Sequence, residues 1–167
     1  MDERRRRFEA QALPHLDAAY NLARWLAPAH ADDIVQDAML RAFRSFDGFR
    51  GADARPWLFA IVRNCARDHA GRARGRAQVP LPGEEDGAAL PDPAPGPEQQ
   101  AAGASERRRL DAAIAALPEE FRTVLILREL EELSYREIAL ALDVPVGTVM
   151  SRLSRARAML KDGWMTP

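Results

Sequence analysis

Apolar side chains recur at helical steps along most of the chain, and the steps break where proline, glycine or aspartate intervenes. Over residues 133–142, Ile138, Ala139 and Leu142 fall on one side, and Ser134 with Glu137 has capping-box spacing, so a helix starts at Ser134. Asp143 and Pro145 stop it, because Asp tolerates a left-handed turn and Pro has no amide to donate. From Thr148 a second helix places Val149, Leu153, Ala156 and Leu160 on a single buried stripe and leaves Thr148, Ser151, Arg152, Arg155 and Arg157 for other faces. A short helix, a sharp turn and a second helix bearing small polar residues and Arg form the pattern of a helix-turn-helix, whose second helix fits the DNA major groove. A plain helical hairpin with a solvated basic face has the same periodicity. The Arg run with Ser and Thr, in place of mixed Lys and Glu, favours the DNA-binding pattern.

Upstream, Phe8, Ala12, Leu16, Ala19, Tyr20, Ala23 and Leu26 keep helical spacing, with Pro14 interrupting early and Pro28 ending the run. Asp32 or Asp33 caps the next helix, whose Val35, Met39, Ala42, Phe43 and Phe46 form a stripe while Asp33, Gln36, Asp37, Arg41 and Arg44 point away. A loop over 47–55, with two glycines and two Asp, leads to Pro56 at a first helical position. Trp57, Leu58, Ile61, Val62 and Cys65 then bury one side of a third helix. Arg63, Asn64, Arg67, Asp68, Arg72 and Arg74 populate the rest, and on charge alone they are a solvated surface.

Six of the twelve prolines lie between positions 80 and 97, among acidic, Gly and Ala residues, which marks a linker. Beyond it Leu110, Ile114 and Leu117 form a face, Pro118 starts a helix with Glu119 and Glu120 in its first turn, and Phe121, Val124, Leu125 and Leu127 supply its core. No strand pattern occurs. The expected fold is all-α, with two small helical domains over 5–75 and 106–163 joined by a flexible acidic Pro-rich linker over 76–105.

A net charge of -1 makes no global case for nucleic acid, but the distribution is uneven. Residues 1–75 carry 13 Arg against 10 acids, 76–106 carry one Arg against 6 acids, and 107–167 carry 10 basic residues against 9 acidic. The single cysteine, Cys65, excludes an internal disulfide or a Cys-based zinc site and sits on an apolar helix face. His15, His30 and His69 are scattered, and no Gly-rich phosphate loop or paired-carboxylate pocket occurs, so neither an enzyme nor a cofactor is expected. No run reaches the roughly 18 apolar residues of a membrane span and no signal-type segment follows the opening Arg run, so a cytoplasmic protein without membrane insertion is expected.

Two sets of motifs resemble bacterial sigma factors of the extracytoplasmic-function group, within the sigma-70 family. Leu117-Pro-Glu-Glu-Phe-Arg-Thr-Val-Leu, Arg128-Glu-Leu, Leu133-Ser-Tyr-Arg-Glu-Ile-Ala and Pro145-Val-Gly-Thr-Val with the following Ser-Arg-Leu and Arg-Ala-Arg are similar to the family's fourth region. Asp33-Ile-Val-Gln-Asp, Phe46-Asp-Gly-Phe-Arg-Gly and Trp57-Leu-Phe-Ala-Ile-Val-Arg-Asn are similar to its second region.

The resemblance implies a promoter-specificity subunit that directs core RNA polymerase to a restricted set of promoters and aids their melting. It implies that Asp33, Gln36, Asp37 and Arg41 dock on the clamp coiled coil of the largest polymerase subunit, with the flap of the second subunit a further partner. It implies that Asn64, Arg67 and Asp68, with Arg63 and Trp57, meet the non-template strand of the minus-ten element, beside a pocket wall formed by the 47–55 loop. Ser151 and Arg155 are implied at minus-thirty-five base edges, and Thr148, Arg152, Arg157 and Arg136 at phosphates. Met150 departs from the Lys or Arg common there. The absence of the large first region of housekeeping sigma factors implies few promoters and control by an anti-sigma protein. Two other readings use parts of the same pattern: an activator that binds DNA as a dimer through the C-terminal unit, and an anti-sigma or interaction module without DNA contact.

Overall fold

The computed structural model describes residues 2–76 and 99–165, and every regular element among them is helical. Eight α-helices run α1 Asp2–Ala12, α2 Leu16–Leu26, α3 Ala31–Ser45, α4 Ala54–Arg76, α5 Gln99–Ala115, α6 Glu119–Glu129, α7 Tyr135–Leu142 and α8 Val146–Met165, with short 3-10 turns at 13–15, 28–30 and 46–48. Residues 77–98, most of the predicted linker, lie outside the described residues.

Several local features follow from the sequence. Ser134 caps α7: its hydroxyl accepts from the Glu137 amide at 3.2 Å, and the Glu137 carboxylate accepts from the Ser134 amide at 2.6 Å. Asp143 closes the helix in the left-handed conformation (φ 52, ψ 53). Val149, Leu153 and Ala156 of α8 are fully buried with Leu160 beside them, as the stripe requires.

Other boundaries differ. Pro14 divides the expected first helix in two, because it joins a 3-10 turn between α1 and α2. Neither Asp32 nor Asp33 caps α3: the N-cap is His30, with no side-chain hydrogen bond, and both carboxylates lie in the first turn, where the positive end of the helix favours them. α4 begins two residues before Pro56, and Asp53 takes the capping role, its Oδ1 accepting from the Arg55 amide at 2.8 Å. Pro56 fits because the first-turn amides have no helical partner to lose. α5 starts at Gln99, inside the segment assigned to the linker, since the prolines end at Pro97 and Gln-Gln-Ala-Ala favours helix. Leu110, expected on the buried face of α5, is 39% exposed, whereas Ile114 and Leu117 are buried.

The core is centred on α4. Leu58, Phe59, Val62, Cys65 and Ala66 are buried on its inner side, against α2 and α3, and α7 packs on its other side. α8 closes the C-terminal half, packing on α5, α6 and α7, and α2 touches α6. One continuous apolar cluster therefore runs from Phe8 to Ala156 through both groups of helices. Cys65 is a core residue, as expected, and burial pushes its thiol up to about 11.

Ser134→Ala tests the cap. Loss of the hydroxyl acceptor is expected to lower stability by about 0.5–2 kcal/mol, read as an earlier midpoint in urea. The Glu137 carboxyl is held below its usual value, mainly by its hydrogen bond from the Ser134 amide. A depressed carboxyl stabilises the fold above its unfolded value of 4.5 and loses that contribution as pH falls through the lower folded value. Glu137→Ala removes that carboxylate, so the wild-type minus Glu137→Ala difference should shrink below about pH 4; a difference constant from pH 7 to pH 2 would contradict the cap.

Candidate nucleic-acid interface

On α4, Ala60, Arg63, Asn64 and Arg67 recur at helical steps on the side away from the Leu58–Phe59–Val62 core stripe. This face is the one the sequence leaves polar. It lines a cleft of about 420 Å³ whose opposite wall is Leu140, Ala141, Leu142, Asp143 and Val144, the end of α7 and the turn after it. Arg63 is half-buried, its Nη1 donates to the Leu142 carbonyl at 3.2 Å, and burial lowers its pKa. Asn64 and Arg67 are exposed, and Arg67 Nε donates to the Glu119 carboxylate at 3.2 Å. Asp68 accepts from Arg41 Nη1 at 2.7 Å.

Trp57 stands at the base of the loop between α3 and α4. Its ring centroid lies 4.8 Å from Phe49 and 6.3 Å from Phe46, so three aromatic rings form one cluster beneath the loop. Gly51 allows the loop to close on that cluster, since a Cβ there would come within 2.7 Å of the Phe49 ring. Arg50 folds back onto the Asp47 and Phe49 carbonyls.

On α3, Asp33 and Gln36 are exposed, and Asp37 is half-buried. Arg41 grips Asp37 with two bonds, at 3.2 and 2.8 Å, and reaches Asp68 with a third. Its pKa is raised by those partners, Asp68 first and Asp37 second. Burial pushes the Asp37 carboxyl up, but its bond and charge from Arg41, with smaller help from Cys65 and Arg72, outweigh that and hold it below its usual value. The outer face of α3 and the Asn64 face of α4 are thus joined through one guanidinium, a link that no spacing in the sequence reveals.

On α8, Ser151 and Arg155 are exposed, Thr148 is half-buried, and the Ser151 hydroxyl donates to the Thr148 carbonyl at 3.0 Å. Arg152 and Arg157 are instead engaged with α6, Arg152 with Glu120 at 3.5 Å and Arg157 with Glu129 at 2.6 Å. The Glu129 bond raises the pKa of Arg157. Arg136 is exposed on α7, and Met150 is 54% exposed on α8. The structure therefore gathers Arg63, Asn64, Arg67 and Asp68 on one helix and Ser151 and Arg155 on another, while two of the six residues expected at the minus-thirty-five element are also ion-paired within the protein.

Arg55 was not singled out by sequence pattern. It donates to the Glu131 carbonyl at 3.2 Å and lies 3.6 Å from the Glu137 carboxylate, tying the start of α4 to the turn before α7. These two partners lie more than 70 positions away, so only the tertiary contact identifies the link. Among the described residues, no group of three or more His, Cys, Asp or Glu is placed to hold a metal ion, and no helix is long and apolar enough to cross a membrane.

A family model described as Sigma-70 region 2 matches residues 13–76, and one described as Sigma-70, region 4 matches residues 107–160. The chain is 37% identical over 149 residues to an ECF RNA polymerase sigma-E factor of Escherichia coli, covering 84% of this chain and 77% of that protein. It is 38% identical over 151 residues to the ECF RNA polymerase sigma factor SigE of Mycolicibacterium smegmatis, covering 89% of this chain but only 58% of that relative's length. Among solved structures, it resembles the sigma factor RpoE in complex with the anti-sigma factor NepR from Bartonella quintana, with a TM-score of 0.75 and 27% identity over 95% of this chain and 97% of that one. It also resembles CnrH in complex with the cytosolic domain of CnrY, with a TM-score of 0.64 and 26% identity over 95% of this chain and 87% of that one. With both regions matched in order on one helical chain, the protein belongs to the extracytoplasmic-function group of the sigma-70 family.

Proposed function

We propose that this chain is a promoter-specificity subunit: it binds core RNA polymerase, directs it to a restricted set of promoters, aids their melting, and is held in check by an anti-sigma protein. The observation that carries this is the presence, on one chain, of both the region 2 and the region 4 matches, each with its own exposed polar helix face. A stand-alone helix-turn-helix activator has no use for the first. Control by an anti-sigma protein is supported by the structural relative solved in complex with the anti-sigma factor NepR. The protein acts without catalysis of its own, in the cytoplasm, where the polymerase works.

In this reading the Asn64 face of α4 takes the melted non-template strand. Unstacking a base costs a few kcal/mol, which amide hydrogen bonds and cationic phosphate contacts offset. Asn supplies both a donor and an acceptor on one short arm. Arg63 and Arg67 take phosphates, Asp68 and Trp57 support the pocket, and the loop from Asp47 to Arg55 forms its wall. Ser151 and Arg155 read minus-thirty-five base edges, while Thr148, Arg136, Arg152 and Arg157 hold phosphates around them. Asp33, Gln36, Asp37 and Arg41 dock on the clamp coiled coil, and the C-terminal unit engages the flap. The units are residues 5–75 and 106–163, and the acidic composition of the stretch between them suits a path close to nucleic acid.

Run-off transcription with core enzyme on genomic fragments tests the function. Promoter-specific products that depend on this chain are expected; none from any fragment would sink it. Tight, specific promoter binding by the chain alone would instead favour the activator. Arg155→Ala is expected to weaken minus-thirty-five recognition by roughly 1–3 kcal/mol, read as a loss of about 5- to 150-fold in holoenzyme affinity for duplex carrying that element, with core binding unchanged. Equal loss on duplex lacking the element would assign Arg155 to phosphate.

A further inference from the structure

We propose that α1 is a positioning element for the minus-ten pocket, with Arg4 as the residue that fixes the start of the loop over 47–55 and so sets how narrowly the pocket selects its base. This rests on the assignment of that loop to the pocket wall. The match to region 2 begins at residue 13, so α1 stands upstream of it. Four consecutive arginines, Arg4 to Arg7, look alike in the sequence, and the fold separates them. Arg5, Arg6 and Arg7 are exposed, whereas Arg4 is half-buried and reaches the end of α3. Its Nη2 donates to the Phe43 carbonyl at 2.7 Å and to the Arg44 carbonyl at 3.3 Å. Its Nε lies 3.0 Å from the Asp47 carboxylate, and its guanidinium sits 4.6 Å from the centre of the Phe43 ring. Carbonyls in a last helical turn run short of helical donors, and the negative end of the dipole favours a cation there. One planar fork serves both carbonyls, the carboxylate and the ring, which a lysine ammonium cannot do.

The hold passes from α1 into the pocket wall through aromatic rings. Phe8 follows Arg4 by one helical turn on the same side of α1. It is buried, with its ring edge-on to Phe43 at 5.2 Å and to Phe46 at 5.4 Å. Phe46 in turn belongs to the cluster with Phe49 and Trp57 beneath the loop. The far end of the loop is held from the same direction: His15, in the turn after α1, places Nε2 3.7 Å from Asp53 Oδ1, the oxygen that caps α4. Both ends of the wall are therefore tied to residues 4–15. The ion pair with the exposed Asp47 carboxylate contributes little by itself, and the half-buried bond to the Phe43 carbonyl carries the anchor. A wall fixed at its ends presents one shape to a flipped base and rejects others by misfit, whereas a wall released at one end adapts to several.

The test uses holoenzyme reconstituted from core polymerase and the full chain, with a promoter recovered in the genomic run-off assay and randomised across its minus-ten element. Complexes that survive a heparin challenge are sequenced, and the preference for the best base over the second best is read at each position. With the wild-type chain at least one position should show a preference on the order of tenfold or more. Arg4→Ala should cut that preference by about fivefold, the low end of what one misread base costs, while minus-thirty-five affinity and core binding stay unchanged. A mere loss of stability would lower all complexes together and leave the ratios alone. Arg5→Ala removes the same charge from an exposed position, where Arg5 pairs with Glu9 at 2.7 Å, and should keep every ratio at its wild-type value. Arg4→Lys keeps the charge without the fork and should recover part of the preference; where the alanine variant does not fold, the lysine variant is read in its place, as a smaller cut at the same position. Unchanged ratios in the folded Arg4 variant, or an equal cut in Arg5→Ala, overturn the proposal. If Asn64→Ala removes the preference while the Arg4 variant keeps it, positioning by α1 fails and the sigma function stands; if wild-type holoenzyme makes no specific product, the function itself fails and the proposal falls with it.

Discussion

Replacing Asn64 with alanine is expected to reduce open-complex formation by about a hundredfold while leaving core polymerase binding unchanged. The size follows from what the residue must offset. A base drawn out of the stack costs a few kcal/mol, and each 1.4 kcal/mol left unrecovered is a factor of about ten. Asn64 is exposed, so its truncation removes no buried side chain and the loss is confined to the DNA step. The effect should be read by potassium permanganate reactivity of unpaired thymines in the promoter, alongside a core-binding titration. A template melted in advance should restore much of the activity, because its bases are already unstacked. Parallel loss of core binding, or normal opening, would contradict the role.

Phe59→Ala should be the most destabilising single change. The ring is 1% exposed on the inner side of α4, the helix on which α2, α3 and α7 all pack. Deleting a buried Phe side chain costs about 3–5 kcal/mol, against a typical total of roughly 5–15 kcal/mol. For a chain of this size the thermal midpoint should fall by on the order of 10 °C. Circular dichroism checks this, and Phe59→Leu should recover more than half of the loss by refilling most of the volume. A fall of less than about 2 °C in the alanine variant would mean that the ring is not packed as described.

The local chemistry of the C-terminal motif was legible from the residues. Ser134 and Glu137 form a cap because their three-residue spacing suffices for both hydrogen bonds, and Asp143 takes the left-handed turn because its short side chain permits it. The α8 stripe was legible for the same reason: helical spacing alone puts Val149, Leu153 and Ala156 on one side. Where the expectations differed, neighbours several residues away compete for the same role. Asp32 and Asp33 were both plausible caps of α3, but the path of the backbone puts both inside its first turn, and at α4 the same kind of path puts Asp53 at the cap. Phe59 and Ala66 escaped the predicted stripe because α4 is packed on more than one side, which widens its buried arc beyond that of a surface helix.

The site divides in the same way. Asn64, Arg67, Ser151 and Arg155 stood out because they are polar residues on the outer faces of amphipathic helices and fall within motifs whose spacing is local. Arg41 joining Asp37 to Asp68, Arg67 meeting Glu119 and Arg55 latching onto Glu131 and Glu137 did not. Arg41–Asp68, Arg67–Glu119 and Arg55–Glu131 link positions 27, 52 and 76 apart, and a charged side chain carries no periodic signal that names a distant partner. From its residues alone this chain declared helices, a helix-turn-helix and two polar faces, because those depend on interactions within a few turns. What stands beside those faces depends on which helices pack together, and packing is set by the shared apolar core between α4 and α7, where burial outweighs the local preference of Arg63 for water while Asn64 stays exposed.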